Sequence, residues 1–225
     1  MPVLPGLPEV DLVLRRSART RRFSLRVSRL DGRVTLSMPA RARESEALAF
    51  AGGHADWLRD VLADLSPVAL VAHGTVLPVE GRALVLAPGR GRVRVEGDSL
   101  IVPDPVPARA AAWLRTLARD RLAAACDRHS ATLGRPYTRL TLRDTRSRWG
   151  SCTSDGALMF SWRLILAPPE VRRYVVAHEV AHLRHFDHSP AFRALERQLY
   201  GSDPRRARAL LGQLGPRLKR IGRGS

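Results

Sequence analysis

His178-Glu179-Val180-Ala181-His182 sets two histidines four residues apart with a glutamate between them. On a helix, residues four apart lie on one face, one turn above each other, so both imidazoles can reach a single metal ion. Glu179 then stands beside the ion and not at it, where a carboxylate can take a proton from water and pass it to a leaving group. Four of the seven histidines fall within residues 178–188, which leaves His185 and His188 as candidates for a third ligand. If the helix ran on through His185, that residue would stand roughly 10 Å along the axis from His178. Metal–nitrogen bonds are only about 2 Å long, so one ion could not easily hold both. His188 can join if the helix stops and the chain turns back. Phe186-Asp187-His188-Ser189-Pro190 supplies that stop, with Ser189 as the cap of a new helix. The expected zinc ligands are therefore His178, His182 and His188, with Glu179 as general base and His185 left free.

Neighbouring residues carry two readings each. Cys152 is either a small residue in a tight loop or a thiolate that fills an open metal position. Arg146 and Arg148 could stabilise a developing oxyanion, or could belong to a loop that packs Trp149 and pairs with acids such as Glu170. Tyr174, one turn before His178, is either core packing or a catalytic hydroxyl.

The elements that must position these residues follow from periodicity. Phe23, Leu25 and Val27 alternate with polar residues, as do Val34, Leu36 and Met38, and Asp31-Gly32 between them signals a turn. Residues 21–39 read as a β-hairpin. Residues 44–65 change to a helical period, from Leu48 through Trp57 and Leu58 to Leu65, and read as one helix across Gly52-Gly53. From Val68 to Pro103, short β-rich runs broken at Glu80-Gly81, Gly89 to Gly91 and Gly97-Asp98 predict a small antiparallel region. A proline-rich stretch then marks a boundary near residue 105. A long helix follows from about Ala108 to His129, stopped by Gly134 and Pro136. "RLTLRD" predicts a strand, "TRSRWGSC" a loop and "GALMFSWRLIL" another extended segment, of which "GALMFSW" could supply an edge strand to an extended substrate. Pro168-Pro169, Ser189-Pro190 and Asp203-Pro204 each open a helix. The order favours an α+β fold, with a β-rich region over 1–105 and a helix-rich catalytic domain over 106–225.

Composition bounds the setting. The net charge is +17, yet all but one of the 38 basic residues are arginine, Lys219 is the only lysine, and asparagine is absent. That skew is what GC-rich codon usage produces, so the charge by itself is weak support for nucleic-acid binding. Cys126 and Cys152 are too few for a disulfide framework and suit reduced thiols in a cytoplasm. The first residues do not read as a signal peptide, and no apolar run reaches the length of a membrane span.

The histidine spacing matches the metzincin proteases, but those carry glycine where this chain has His185 and a methionine turn downstream. No methionine follows Met159. "SRWGSC", "WRLILAPPEVRRYVVAHEVAHLRHFDHSPAF" and the early "RRSARTRRFSLRV" with "DGRVTLSMP" instead resemble the YgjP-like metallopeptidase family, relatives of the SprT and WLM zinc proteins. The likeness spans roughly residues 15–215. Arg193 departs from it, standing where the family usually has tryptophan. The resemblance implies a zincin-like core behind a β-rich region and implies little about substrate. With the site residues and the reduced cysteines, the expected function is a cytoplasmic zinc-dependent hydrolase, above all a metallopeptidase. Two rivals remain at this point. One is a zinc hydrolase of nucleotide phosphoanhydrides, with arginines clamping phosphates. The other is a nucleic-acid-associated protease of the SprT kind.

Overall fold

The computed structural model describes residues 4, 7, 10, 12–28, 32–63 and 71–222. By its contacts the chain forms two compact units, Met1–Pro67 and Val68–Ser225. Mixed strands and helices throughout make it α+β.

In the first unit, β2 (Ser24–Val27) and β3 (Val34–Pro39) pair antiparallel from Val27↔Val34 to Ser24↔Ser37. The alternation does the work expected of it, with Val34, Leu36 and Met38 fully buried on one face. Asp31 lies outside the described residues, while Gly32 has the positive φ of 74° that its turn needs. A third strand, β1 (Leu12–Ser17), adds parallel to β3. The hairpin reading does not include it, because Arg15 and Arg16 interrupt its apolar pattern. The single helix expected over 44–65 is two helices, α1 (Glu44–Gly52) and α2 (Ala55–Ala63). Gly52-Gly53 breaks it, since each glycine costs a helix interior about 1 kcal/mol. Leu65 lies outside the described residues. Leu36, Met38, Ala47, Ala51 and Leu58 form the core of this unit.

The second unit opens with a four-stranded sheet of β4 (Val76–Val79), β5 (Arg82–Ala87), β6 (Arg94–Glu96) and β7 (Ser99–Ile101) in the order β4-β5-β7-β6. It is not wholly antiparallel. β7 returns between β5 and β6 and pairs parallel with β5. Leu77, Leu84, Leu86 and Leu100 share one core with the long helix α3 (Val106–Leu133). By contacts the chain divides at 67/68, and the proline-rich stretch near residue 105 lies within the second unit. Gly134, in the left-handed conformation, ends α3 by donating to Ala131 O.

After α3 come β8 (Arg139–Arg143), β9 (Gly150–Cys152) and β10 (Ala157–Ser161). β10 is central, parallel to β8 and antiparallel to β9. A 3₁₀ turn, Trp162–Leu166, leads to α4 (Pro169–Ala181), α5 (Pro190–Tyr200) and α6 (Arg205–Arg220). Among the described residues no helix is long and apolar enough to cross a membrane.

Candidate metal centre

α4 is buried on most of its surface through Val171, Val175, Val176, Ala177, Val180 and Ala181, which fixes its axis in the core. Its open side carries His178 and His182. The helix ends at Ala181, earlier than the stop expected around Phe186-Asp187, and Leu183 donates back to Val180 O at 3.0 Å. His185 is consequently off the helix, and its carbonyl accepts from His182 Nδ1 at 2.9 Å. Asp187 Oδ1 accepts from Ser189 N, and Ser189 Oγ caps α5 by accepting from Phe192 N at 3.3 Å. This turn swings His188 back over α4. Its ring centroid lies 5.2 Å from that of His178 and 4.9 Å from that of His182.

Phe192, fully buried, is the common floor. Its ring sits 5.1, 4.5 and 4.9 Å from those of His178, His182 and His188. One nitrogen from each histidine comes within 4.8 Å of the others, and these three are the residues brought together. Neither His185 nor Cys152 belongs to the group.

Hydrogen bonds fix two tautomers. His178 Nδ1 meets Glu196 Oε1 at 2.6 Å. An ionised carboxylate only accepts, as does the His185 carbonyl, so both Nδ1 atoms carry the proton and both Nε2 atoms present lone pairs. His178 Nε2 and His188 Nε2 stand 3.4 Å apart. Two nitrogens bound to one tetrahedral zinc at about 2.0–2.1 Å would be separated by roughly 3.3–3.4 Å. Burial is the largest influence holding His182 and His188 below the ordinary histidine range. Imidazole nitrogens that converge in this way fit a divalent cation that takes nitrogen ligands.

Glu179, between the two helix histidines in sequence, is 7% exposed. Burial pushes its carboxyl up to about 7, although the charges of His178 and Arg148 pull the other way. A methyl group placed on Gly150 would stand 2.5 Å from Glu179 Cγ, so the carboxylate lies against bare backbone of β9. The segment "GALMFSW" is not the edge strand, because β10 is paired on both sides. β9 is the edge beside α4. Ser161 N donates to Trp149 O and Thr153 N to Ala157 O. In that register the N–H and C=O groups of Gly150 and Cys152 face away from β10.

The loop before β9 is held from α6. Lys219 Nζ donates to the carbonyls of Arg146 and Arg148 at 3.0 and 3.2 Å and lies 4.6 Å from the Trp149 ring centroid. Buried Arg163 pairs with Asp144 and donates to Ile221 O. Gly215 permits the approach of Trp149, since a Cβ there would lie 3.3 Å from the indole. Cys152 is half-buried in β9, and burial pushes its thiol up to about 11, which opposes a thiolate role. Tyr174 packs edge-on against Tyr200.

Glu196, Gly150, Arg163 and Lys219 escape the motif reading. Glu196 leaves one trace: Phe192, Glu196 and Leu199 form the buried stripe of α5, and a carboxylate in an apolar stripe asks for a partner.

The family model described as YgjP-like, metallopeptidase domain, matches residues 21–213. No curated protein and no solved structure matches the chain. With most of its length under that one model, the chain belongs to the YgjP-like metallopeptidase family.

Proposed function

We propose that the chain is a zinc-dependent peptidase in which His178, His182 and His188 hold the ion and Glu179 is the general base. The observation that carries this reading is the convergence of three imidazoles beside a buried carboxylate, in a chain of metallopeptidase family. Zinc in such a site acidifies water and polarises a carbonyl. Glu179 accepts the water's proton and returns it to the leaving amine. Gly150 and Cys152 offer backbone donors and acceptors on the open side of β9, so an extended peptide adds there as a further strand, next to Glu179. Residues 106–225 supply every residue named here, and we assign catalysis to them. Two cysteines without a disulfide suit a reducing compartment, and we place the protein in the cytoplasm.

Elemental analysis of the purified chain, paired with hydrolysis assays on peptide libraries and on nucleoside triphosphates, tests the reading. About one zinc per chain with cleavage of peptides is expected. Nucleotide turnover without peptide cleavage would move the substrate class to phosphoanhydrides.

A further inference from the structure

Glu196 has one orientation available to it. Its side chain is 3% exposed, Oε1 meets His178 Nδ1 at 2.6 Å, and Oε2 accepts from Arg193 Nη1 at 3.1 Å. All three residues are held by regular structure. His178 rises from α4, while Arg193 and Glu196 sit one turn apart on α5, whose start is fixed by the Ser189 cap. A buried carboxylate that spends both oxygens on named donors is satisfied, so its location is not an accident of packing. An imidazole that ligates through Nε2 must keep its proton on Nδ1 and its ring plane turned to the ion. An acceptor fixed opposite Nδ1 enforces both.

We propose that Glu196, held by Arg193, is a positioning residue of the ion site. It locks the tautomer and ring orientation of His178 and so sets the affinity of the site. The inference rests on the proposed metal site and adds to it two residues that no ligand motif contains. Arg193 gains a role by the same contact. It stands where the resemblance leads one to expect tryptophan, and it orients the carboxylate that orients the ligand.

The test is chelator-competition titration of the metal-free full chain with Zn²⁺, together with the visible absorption of the Co²⁺-loaded protein. The variants are Glu196→Gln, which keeps an acceptor for Nδ1–H, Glu196→Leu, which keeps bulk without an acceptor, and Arg193→Met. Outer carboxylates of this kind are worth roughly 10–100-fold in metal affinity. Glu196→Leu should lose affinity on that scale, with a Co²⁺ spectrum shifted from the parent's. Glu196→Gln should recover much of the loss, and Arg193→Met should lose less than Glu196→Leu. A merely structural role would lower the melting temperature and leave ion affinity and spectrum unmoved, and that result overturns the proposal. If Glu196→Leu does not fold, Glu196→Ala, which also removes the acceptor, takes its place, and unchanged ion affinity and Co²⁺ spectrum in that variant overturn it equally. A parent chain that binds neither ion refutes the metal site itself, which separates that failure from the failure of Glu196 alone.

Discussion

Glu179 and Gly150 are in direct contact: a Cβ on Gly150 would lie 2.5 Å from Glu179 Cγ and 2.6 Å from Oε1. The atoms that would have to move, Cγ, Cδ and Oε1, all belong to the Glu179 side chain and none to backbone. Gly150→Ala should therefore fold and keep its histidine cluster while displacing the carboxylate. Misplacement of a reacting group by about 1 Å can cost on the order of 10²-fold in rate. A loss of that size with unchanged metal content is expected. A Gly150→Ala enzyme as fast as its parent would show that Glu179 has room to spare.

Glu179→Gln isolates proton transfer from ion binding. The amide keeps size and hydrogen-bonding reach but accepts no proton. Zinc content and melting temperature should stay near the parent's while turnover falls by roughly 10²–10⁴-fold, the usual contribution of a positioned base. Full activity with zinc intact would remove Glu179 from the mechanism.

The ligand set separates His188 from His185. His178→Ala, His182→Ala and His188→Ala should each lose most of the bound zinc, because three protein ligands leave none to spare. His185→Ala should retain it, since the backbone carbonyl of residue 185, and not its ring, meets His182. Zinc analysis of the four purified variants decides the matter. The opposite pattern at 185 and 188 would refute the assignment.

What was legible in the sequence is what short-range periodicity and spacing encode. The alternation of Val34, Leu36 and Met38 announces β3, Gly134 announces the end of α3, and Ser189 announces the start of α5. The gathering of His178, His182 and His188 follows from a helix turn plus a stop. Relations that depend on packing between distant elements were hidden. β9 is three residues long inside a stretch that reads as loop, so the true edge strand was missed and its central neighbour took its place. The parallel pairing of β5 with β7 depends on β6 looping outward, which no local pattern reports. Glu196 reaches His178 only because α4 and α5 pack together across 18 positions of sequence.

Cys152 should behave as a neutral thiol. Its pKa of about 11, against an ordinary value of 9.0, follows first from burial and then from the nearby charges of Glu179 and Asp155. At pH 8 a rise of that size leaves about a hundredfold less thiolate than an ordinary cysteine has, and the thiolate is the reactive form. Iodoacetamide should label Cys152 slowly in the native chain and readily after denaturation, as peptide mass analysis would record. Cys152→Ala should leave zinc content unchanged, whereas zinc loss would restore the thiolate to the ligand set.

Lys219 offers a probe of the far end of the site. It is the only lysine, its residue is 6% exposed, and its ammonium donates to the two carbonyls that lead into Gly150. An amine-reactive reagent should therefore spare Lys219 in the native chain until the protein unfolds. Lys219→Met keeps the stem against Trp149 and removes the donors. Buried hydrogen-bonding groups left without partners cost about 1–3 kcal/mol, so denaturant unfolding should report a loss in that range. The loop also sets where β9 begins, and with it the wall against which Glu179 lies. The variant should accordingly lose more activity than its folded fraction explains. Rapid native acylation of Lys219, or a variant of unaltered stability, would show that α6 does not hold the loop.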